Sequence, residues 1–375
     1  MKISIINYEY PPIGGGAATF TKYLAQNLAQ RDHKVSILTS LFNCKDSYTK
    51  INNNIEIFRV KSYRKSVYES SIKGLISFIF FGLLSIDKYY KIVKPDICIN
   101  FFALPCGPLS LYMKKKYFVP YILCLRGADV PGFSPKETNF YHKIVKGFNK
   151  TIFKESLAIT ANSKGLRDLA YKFYNKKNIK VIYNGVDTEL FKPIYSYETN
   201  SNVFNILFVG RLAHQKNIIN FINSVFNKLN TNGLYINLNI VGDGPLKKKI
   251  MEIFQSSNYK TINFYGWLER NKLPSIYNSN DLLVLPSLYE GMSNVVLEAK
   301  ACNLPVVAFN IAGNEEMLEE DKDFLIEKNN YNQMRNKIEK LINLKNFKSL
   351  TISKNFYTKF SMKNITDQYI DVINY

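Results

Sequence analysis

The feature that most limits what this chain can fold into is a repeated change of period. Short runs rich in Ile, Val and Leu alternate with stretches whose apolar residues recur at helical spacing. The first series opens with KISIIN, passes Gly14, Gly15 and Gly16, and enters ATFTKYLAQNLAQ, where Phe20, Tyr23, Leu24 and Leu28 share a helical face. HKVSILTS, IEIFRV, DICIN, YILCLRG, LAITAN and IKVIYNGVD follow as strands. A second series starts at NILFVG and continues through a helix over 216–229, YINLNIVG, a helix over 245–256, INFYG, a short helix over 271–278, DLLVLPS, a helix over 294–302, PVVAF, FLIE and a helix near 331–343. Strands without polar alternation are strands covered on both faces, so each half is expected to be a doubly wound α/β domain around a parallel sheet. Tyr195 to Asn202 (YSYETNSN) is polar and without period. The expected division is therefore 1–194, a linker at 195–202, and 203–356. The closing segment carries Phe360, Met362, Ile365, Tyr369, Ile370 and Ile373 at helical spacing, an apolar face that must dock.

Composition agrees with this and excludes little else. A chain of 375 residues exceeds what one core organises, and 46% hydrophobic content excludes a disordered or fibrous protein. Cys44, Cys98, Cys106, Cys124 and Cys302 are scattered and odd in number, which fits a reducing compartment better than a disulfide framework or a zinc site. The opening MKISIINYEYPP lacks the apolar run of a secretory signal, so a cytoplasmic protein is expected. Leu75 to Leu84 (LISFIFFGLL) is half the ~20 residues that span a bilayer, and reads as a buried helix or an interfacial one. Fifty Lys+Arg against thirty Asp+Glu give a net charge of +20, which favours polyanions, anionic lipid or phosphorylated substrates and equally suits a Lys-rich composition.

In an open parallel sheet a ligand sits at the carboxyl ends of the strands, and the notable residues of the second series fall there. NILFVG ends in Gly210-Arg211, with Lys216 at the start of a helix. A rigid guanidinium and a mobile ammonium suit a diphosphate. After DLLVLPS, Glu290 lies in a loop and Glu298 inside the next helix, with seven residues between them. Ser293 is expected to cap that helix, leaving the N–H groups near Asn294 and Val295 aimed at an anion.

GRLAHQKN (210–217), VGDGP (241–245), FYGW (264–267) and above all EGMSNVVLE (290–298), an E-x7-E motif, resemble the retaining GT-B glycosyltransferases of group 1, or family 4. PPIGGGAATF (11–20), RGADVPGF (126–133) and NGVD (184–187) fit as well, so the resemblance spans nearly the whole chain. It implies two Rossmann-like domains facing across a cleft, with the final helix, 357–375, returning to the first. It further implies that Arg211 and Lys216 neutralise the donor diphosphate, that Glu298 holds the ribose and that Glu290 contacts the transferred sugar. Gly15 and Gly16 would bring backbone N–H groups to the phosphate, with Gly242 and Gly244 among the donor contacts. Trp267 would stack on the base or pack in the core. Many relatives have a histidine after the fifth strand where this chain has Arg126. His33, His142 and His214 lie elsewhere, so Arg126 and Asp129 are candidates to orient sugar or acceptor, or to pair with each other.

The resemblance implies a retaining transfer from a nucleotide-diphosphate sugar to a glycan or lipid-linked glycan, expected in cell-surface polysaccharide synthesis and driven by stabilising the leaving diphosphate. No cofactor and no metal are expected. Asp321-Lys322-Asp323 forms a D-x-D string but follows EE in a charged turn rather than ending a strand. Arg59, Lys61, Arg64, Lys65 and Lys73 cluster before LISFIFFGLL, and Lys114, Lys115 and Lys116 precede Tyr117-Phe118, which suits an anionic inner membrane surface or simply a solvated rim. An epimerase or phosphorylase of the same fold, and a basic nucleic-acid-binding α/β protein, are the alternatives. The chain carries no nucleic-acid motif, and no G-x-G-x-x-G follows its first strand to indicate a dinucleotide oxidoreductase. Sugar, base and acceptor are not encoded in any of these motifs.

Overall fold

A computed structural model describes residues 1–42, 46–64, 66, 71–133, 141–194, 202–230, 233–254, 260–319, 324–344 and 354–374. The chain forms two compact units, Met1–Gly185 with Met362–Tyr375, and Val186–Ser361. The division thus falls at Gly185/Val186, ahead of the polar 195–202 stretch, most of which lies outside the described residues.

In the first unit the strands are β1 (Lys2–Ile6), β2 (Lys34–Leu41), β3 (Tyr48–Lys50), β4 (Ile55–Lys61), β5 (Ile97–Phe101), β6 (Tyr121–Leu125), β7 (Ala158–Ala161) and β8 (Ile179–Val181). Their order is β3-β4-β2-β1-β5-β6-β7-β8, parallel except for β3, which pairs antiparallel with β4 at the edge. At three residues, β3 is too short to show a period in sequence. The helices are α1 (Gly16–Ala29), α2 (Ile72–Val93), α3 (Gly107–Tyr117), α4 (Lys146–Glu155), α5 (Lys164–Phe173) and, after the chain returns, α13 (Met362–Ile373). Alternate residues of β1 explain the layering. Ile3 and Ile5 join Phe20, Leu24 and Leu28 of α1 with Met362, Ile365 and Tyr369 of α13 in one core, while Ile6 faces Phe78 and Ile86 of α2 in another. Both faces are buried, which is why these strands read as unbroken apolar runs.

The second unit holds β9 (Val203–Val209), β10 (Tyr235–Val241), β11 (Lys260–Gly266), β12 (Leu282–Leu285), β13 (Val306–Phe309) and β14 (Leu325–Ile326), all parallel, in the order β11-β10-β9-β12-β13-β14. Its helices are α6 (Ile218–Ser224), α7 (Lys247–Ile253), α8 (Leu273–Asn278), α9 (Asn294–Ala301), α10 (Asn314–Met317), α11 (Tyr331–Asn343) and α12 (Lys354–Phe360). Phe360, expected on the final apolar stripe, closes α12 instead, and the stripe that docks in the first unit starts at Met362.

The strand orders put the sites where chemistry can occur. In each sheet the chain builds outward from its first strand and then returns to that strand's other side, so direction reverses between β1 and β5 and between β9 and β12. At such a reversal the loops leaving two neighbouring strands diverge and leave a crevice at the carboxyl edge.

The apolar run 75–84 lies inside α2, and no helix among the described residues is long and apolar enough to cross a membrane. Of the basic residues expected to gather before it, Lys61 and Lys73 are exposed and Lys65 lies outside the described residues. Arg64 departs from that expectation: its side chain is fully buried, with the guanidinium 4.5 Å over the Tyr8 ring and 3.5 Å from Glu9.

Candidate functional site

The crevice of the second unit lies between the loop after β9 and the loop after β12. The β9 loop is held close to that of β10. Gly210 donates its N–H to the Val241 carbonyl at 2.9 Å, and Leu212 donates to Asp243 at 2.9 Å. A Cβ at Gly242, whose φ is +130°, would sit 2.0 Å from the Gly210 carbonyl oxygen. Glycine there is what allows the loop bearing Arg211 to lie where it does. Gly244 serves the same approach, since a Cβ would meet the Leu212 carbonyl oxygen at 2.5 Å.

Beyond Arg211, whose side chain is exposed, the chain makes a 3-10 turn over His214–Lys216. Asn217 follows at φ +58°, a conformation that Asn tolerates better than most residues. The helix expected over 216–229 is consequently interrupted: only Ile218–Ser224 is α-helical, with a second 3-10 turn at Phe226–Lys228. This kink ties the β9 loop to the β12 loop. Asn217 donates to the Pro286 carbonyl and to the Tyr331 hydroxyl, each at 3.0 Å, Gln215 donates to the Tyr289 carbonyl at 2.9 Å, and Leu288 returns an N–H to Gln215. The result is that Lys216 Nζ donates to Glu290 Oε1 at 2.5 Å, with side chains only 16% and 10% exposed.

Glu298 lies one turn into α9 and is nearly enclosed. Its Oε1 faces Arg270 Nη1 at 2.7 Å and its Oε2 accepts the Tyr277 hydroxyl at 2.9 Å. Burial, then the neighbouring Glu298 carboxylate, raises the Tyr277 pKa well above the usual phenol value, so this hydroxyl keeps its proton and donates. Ser293 occupies the N-cap position but makes no capping hydrogen bond with its side chain, contrary to expectation. It is buried, and its backbone carbonyl takes the N–H groups of Val296 and Leu297. Asn294 and Val295 open the helix and are half-buried. Trp267 is 57% exposed, so of the two expected roles core packing does not apply.

At the carboxyl edge of the first unit the glycine loop leads into α1. Gly15 occupies the N-cap with φ −127°, and a Cβ there would meet nothing within 4 Å. It is Gly14, at φ +90° against Glu9, that the fold itself requires to be glycine. Arg126, at the end of β6, stacks over Phe20 and Phe101 at 4.2 and 4.5 Å. Its Nη1 donates to Asn184 at 2.6 Å and its Nη2 to the Tyr369 hydroxyl at 2.9 Å. Asp129 engages no arginine side chain in a described contact. Its carboxylate accepts backbone N–H groups of Arg126, Gly127 and Ala103 at 3.0, 2.9 and 3.2 Å, and burial raises its pKa despite them. His142 is buried, with Nε2 3.0 Å from the Ala128 carbonyl oxygen, and His214 is exposed. Four cysteines, Cys98, Cys106, Cys124 and Cys302, are free and buried, and Cys44 lies outside the described residues, as does Asp321-Lys322-Asp323.

Sequence reasoning reached Arg211, Lys216, Glu290 and Glu298 but missed Arg270, Tyr277 and Asn217. Arg270 stands in the polar string LERNK between β11 and α8, where it reads as a solvated turn. Only its position after a strand's carboxyl end could have marked it.

Two family models match the chain: Glycosyltransferase Family 4 over residues 14–190, and Glycosyl transferases group 1 over 192–356. A UDP-Gal:alpha-D-GlcNAc-diphosphoundecaprenol alpha-1,3-galactosyltransferase of Escherichia coli is 33% identical, over 99% of this chain and 98% of that protein. Among solved structures, a sucrose-phosphate synthase of Thermosynechococcus elongatus superposes with a TM-score of 0.82 at 17% identity, covering 99% of this chain and 98% of that one. Anabaena HepE in complex with UDP and glucose superposes with a TM-score of 0.74 at 17% identity, covering 100% and 99%.

Proposed function

The chain belongs to the glycosyl transferases of group 1 and family 4 and has the GT-B fold, and on that premise we propose that it moves a sugar from a nucleotide-diphosphate donor to a lipid-linked glycan, with retention and without a metal. The observation that carries this reading is the crevice between β9 and β12, where Lys216 meets Glu290 beside the start of α9 and Glu298 follows one turn on. As the bond between the sugar C1 and the phosphate oxygen breaks, the electron pair leaves with the diphosphate, the acceptor hydroxyl oxygen bonds to C1, and its proton passes to the departing phosphate oxygen. Arg211, Lys216 and the first N–H groups of α9 stabilise that charge where it develops. Glu290 takes hydroxyls of the transferred sugar, Glu298 takes the ribose, and the exposed Trp267 face is available to the base. Arg126 enters as a fixed cation whose Nη groups are already bound and whose Nε has no hydrogen-bond partner.

UDP is the nucleotide this reading favours, because a relative with a third of its residues in common is named for UDP-Gal and HepE was solved with UDP. The same relative is named for an undecaprenol-diphosphate acceptor. The test is a thermal-shift screen of sugar nucleotides, followed by transfer from the best donor to a GlcNAc-diphosphoundecaprenol analogue. Binding to the folded state raises its melting temperature. A flat screen, or turnover of donor with no glycan product when acceptor is supplied, overturns the proposal. Retention is read from the anomeric coupling of the product by NMR, and metal independence from unchanged rates in EDTA.

An acceptor with a polyprenol tail also calls for a membrane-facing surface, and α2 supports one. Ile72, Ile76, Phe80 and Leu84 form a stripe along the helix at 58–68% exposure, and the neighbouring Tyr63 is 54% exposed. Lys61 lies 5.4 Å over Tyr63 and 5.6 Å over Phe81, and Lys73, Lys88 and Lys91 on the same helix are exposed. Apolar side chains rimmed by lysine fit an anionic leaflet, such as the inner face of the cell membrane. We expect salt-sensitive sedimentation with anionic vesicles that Phe80→Glu abolishes. Equal binding to anionic and neutral vesicles, or none to either, removes this part.

A further inference from the structure

Glu298 is held from two sides by residues that no sequence motif marks. Arg270 sits in a 3-10 turn at the carboxyl end of β11, and Tyr277 lies in the short helix that follows. Arg270 faces Oε1 at 2.7 Å and the Tyr277 hydroxyl donates to Oε2 at 2.9 Å. Both are themselves braced by Phe191. The Arg270 guanidinium lies 4.8 Å over the Phe191 ring, and the Tyr277 ring meets Phe191 edge-on at 5.9 Å, with both aromatic side chains fully buried. The Glu298 side chain is 4% exposed and that of Arg270 is 24% exposed.

Resting on the donor reading above, we infer that Arg270 is a positioning residue for the nucleotide: it fixes the Glu298 carboxylate to accept the ribose hydroxyls and does not bind the diphosphate. A carboxylate offers about four lone-pair sites. Arg270 and Tyr277 take one on each oxygen, and the two left over match the two donors of a vicinal diol. A glutamate has three rotatable torsions to immobilise, and a clamp that fixes them before the ligand arrives removes that entropy from the binding step. The clamp also makes burial of the charge tolerable, because an enclosed carboxylate without a cation is costly. Arginine suits this task better than lysine, since its planar group stacks on Phe191 while its fork meets the carboxylate. The diphosphate is left to Arg211 and Lys216.

The test measures dissociation constants of the full chain for UDP and for 2′,3′-dideoxy-UDP by calorimetry. Glu298→Gln and Arg270→Gln should each weaken UDP by about tenfold and leave the dideoxy analogue within about twofold. The double variant should lose little more than either single one, because the two residues act through one contact. Arg270→Lys should recover part of the loss. Tyr277→Phe, which keeps the ring against Phe191, carries the same comparison if Arg270→Gln does not fold. If Arg270→Gln weakens both ligands equally, the arginine binds phosphate and the inference falls. If it tightens UDP, Arg270 was blocking the ribose and the inference also falls. Should Glu298→Gln fail to separate the two ligands, the assignment of the ribose to Glu298 fails first; should only Arg270→Gln fail to do so, that assignment stands and the positioning role alone is lost.

Discussion

At the carboxyl edge of the second sheet, Lys216 faces Glu290 at 2.5 Å and Arg270 faces Glu298 at 2.7 Å. At the same edge of the first sheet, Arg126 directs its Nη groups to a side-chain amide and a phenol, and Asp129 accepts three backbone N–H groups. Both edges therefore carry charge in strand-end loops, and, the Arg64–Glu9 pair of the first unit apart, the difference is in what the charge meets. A charge that meets the opposite charge keeps lone pairs and N–H groups that a ligand can use, because neither partner of an ion pair is holding a backbone group in place. A carboxylate holding three amides is part of the loop, and a ligand that took it would unmake the loop. Position at a strand end identifies candidates, and the partner identifies which of them are available.

The largest effect that could break this comparison is on turnover. Lys216→Ala removes one cation from the crevice and should lower kcat/KM by about 100-fold, the usual scale for losing one preorganised charge at a developing anion. Arg126→Gln should show the reverse balance. It loses two hydrogen bonds and the stacked cation between α1, β5 and α13, which should cost about 1–3 kcal/mol of stability. Its kcat/KM, corrected for folded fraction, should fall by less than that of Lys216→Ala. Steady-state rates and urea midpoints on the same preparations decide it. An Arg126→Gln enzyme with wild-type stability and a rate as low as Lys216→Ala would put both edges in the same class.

How far the sequence reached follows the same line. Strands buried on both faces announce themselves, so every strand of four residues or more in the first sheet lies in an apolar run that could be read directly, and only the three-residue β3 gave no signal. α11 spans Tyr331–Asn343, where its period had it. Breaks were harder, because the interruption at Asn217 is produced by hydrogen bonds to Pro286 and Tyr331, partners distant in sequence. The site was legible where one motif carried it, as for Glu290 and Glu298, and illegible where tertiary pairing did, as for Arg270. Arg64 and Asp129 show the converse: their charge suggested a surface or a substrate, and the fold buries both.

Glycines give a second and smaller contrast. Gly242→Ala forces a Cβ to within 2.0 Å of the Gly210 carbonyl at a φ of +130°. We expect a loss of about 3 kcal/mol or more, together with weakened nucleotide binding as the Arg211 loop shifts. Gly15→Ala meets nothing within 4 Å at a φ of −127°, and its stability should stay within about 0.5 kcal/mol. Gly15→Ala therefore isolates ligand contact from folding. A drop in turnover at unchanged stability would mean that the first loop approaches substrate closely, and would soften the contrast between the edges.

The smallest effect concerns pH, and it tests whether titration in the first unit is felt by the fold. Burial lowers the His142 pKa below its ordinary 6.5, outweighing the bond to Ala128 and the Asp129 charge; burial, then the charged amino terminus, does the same for His33. Between its folded value and 6.5, the unfolded chain binds a proton that the folded chain refuses. The stabilising contribution is therefore complete above 6.5 and is lost as pH falls through the folded value. Asp129, raised by burial, works in the opposite sense, since its folded form holds a proton more tightly. The informative quantity is accordingly the difference between wild type and His142→Gln in urea midpoint, followed from about pH 8 down to about pH 5. The wild type should lose more stability over that interval, by less than the cost of Arg126→Gln, with the residual slope of the variant carrying His33 and, in the opposite sense, Asp129. Parallel curves would mean that His142 titrates freely, and that this part of the first edge is open to solvent.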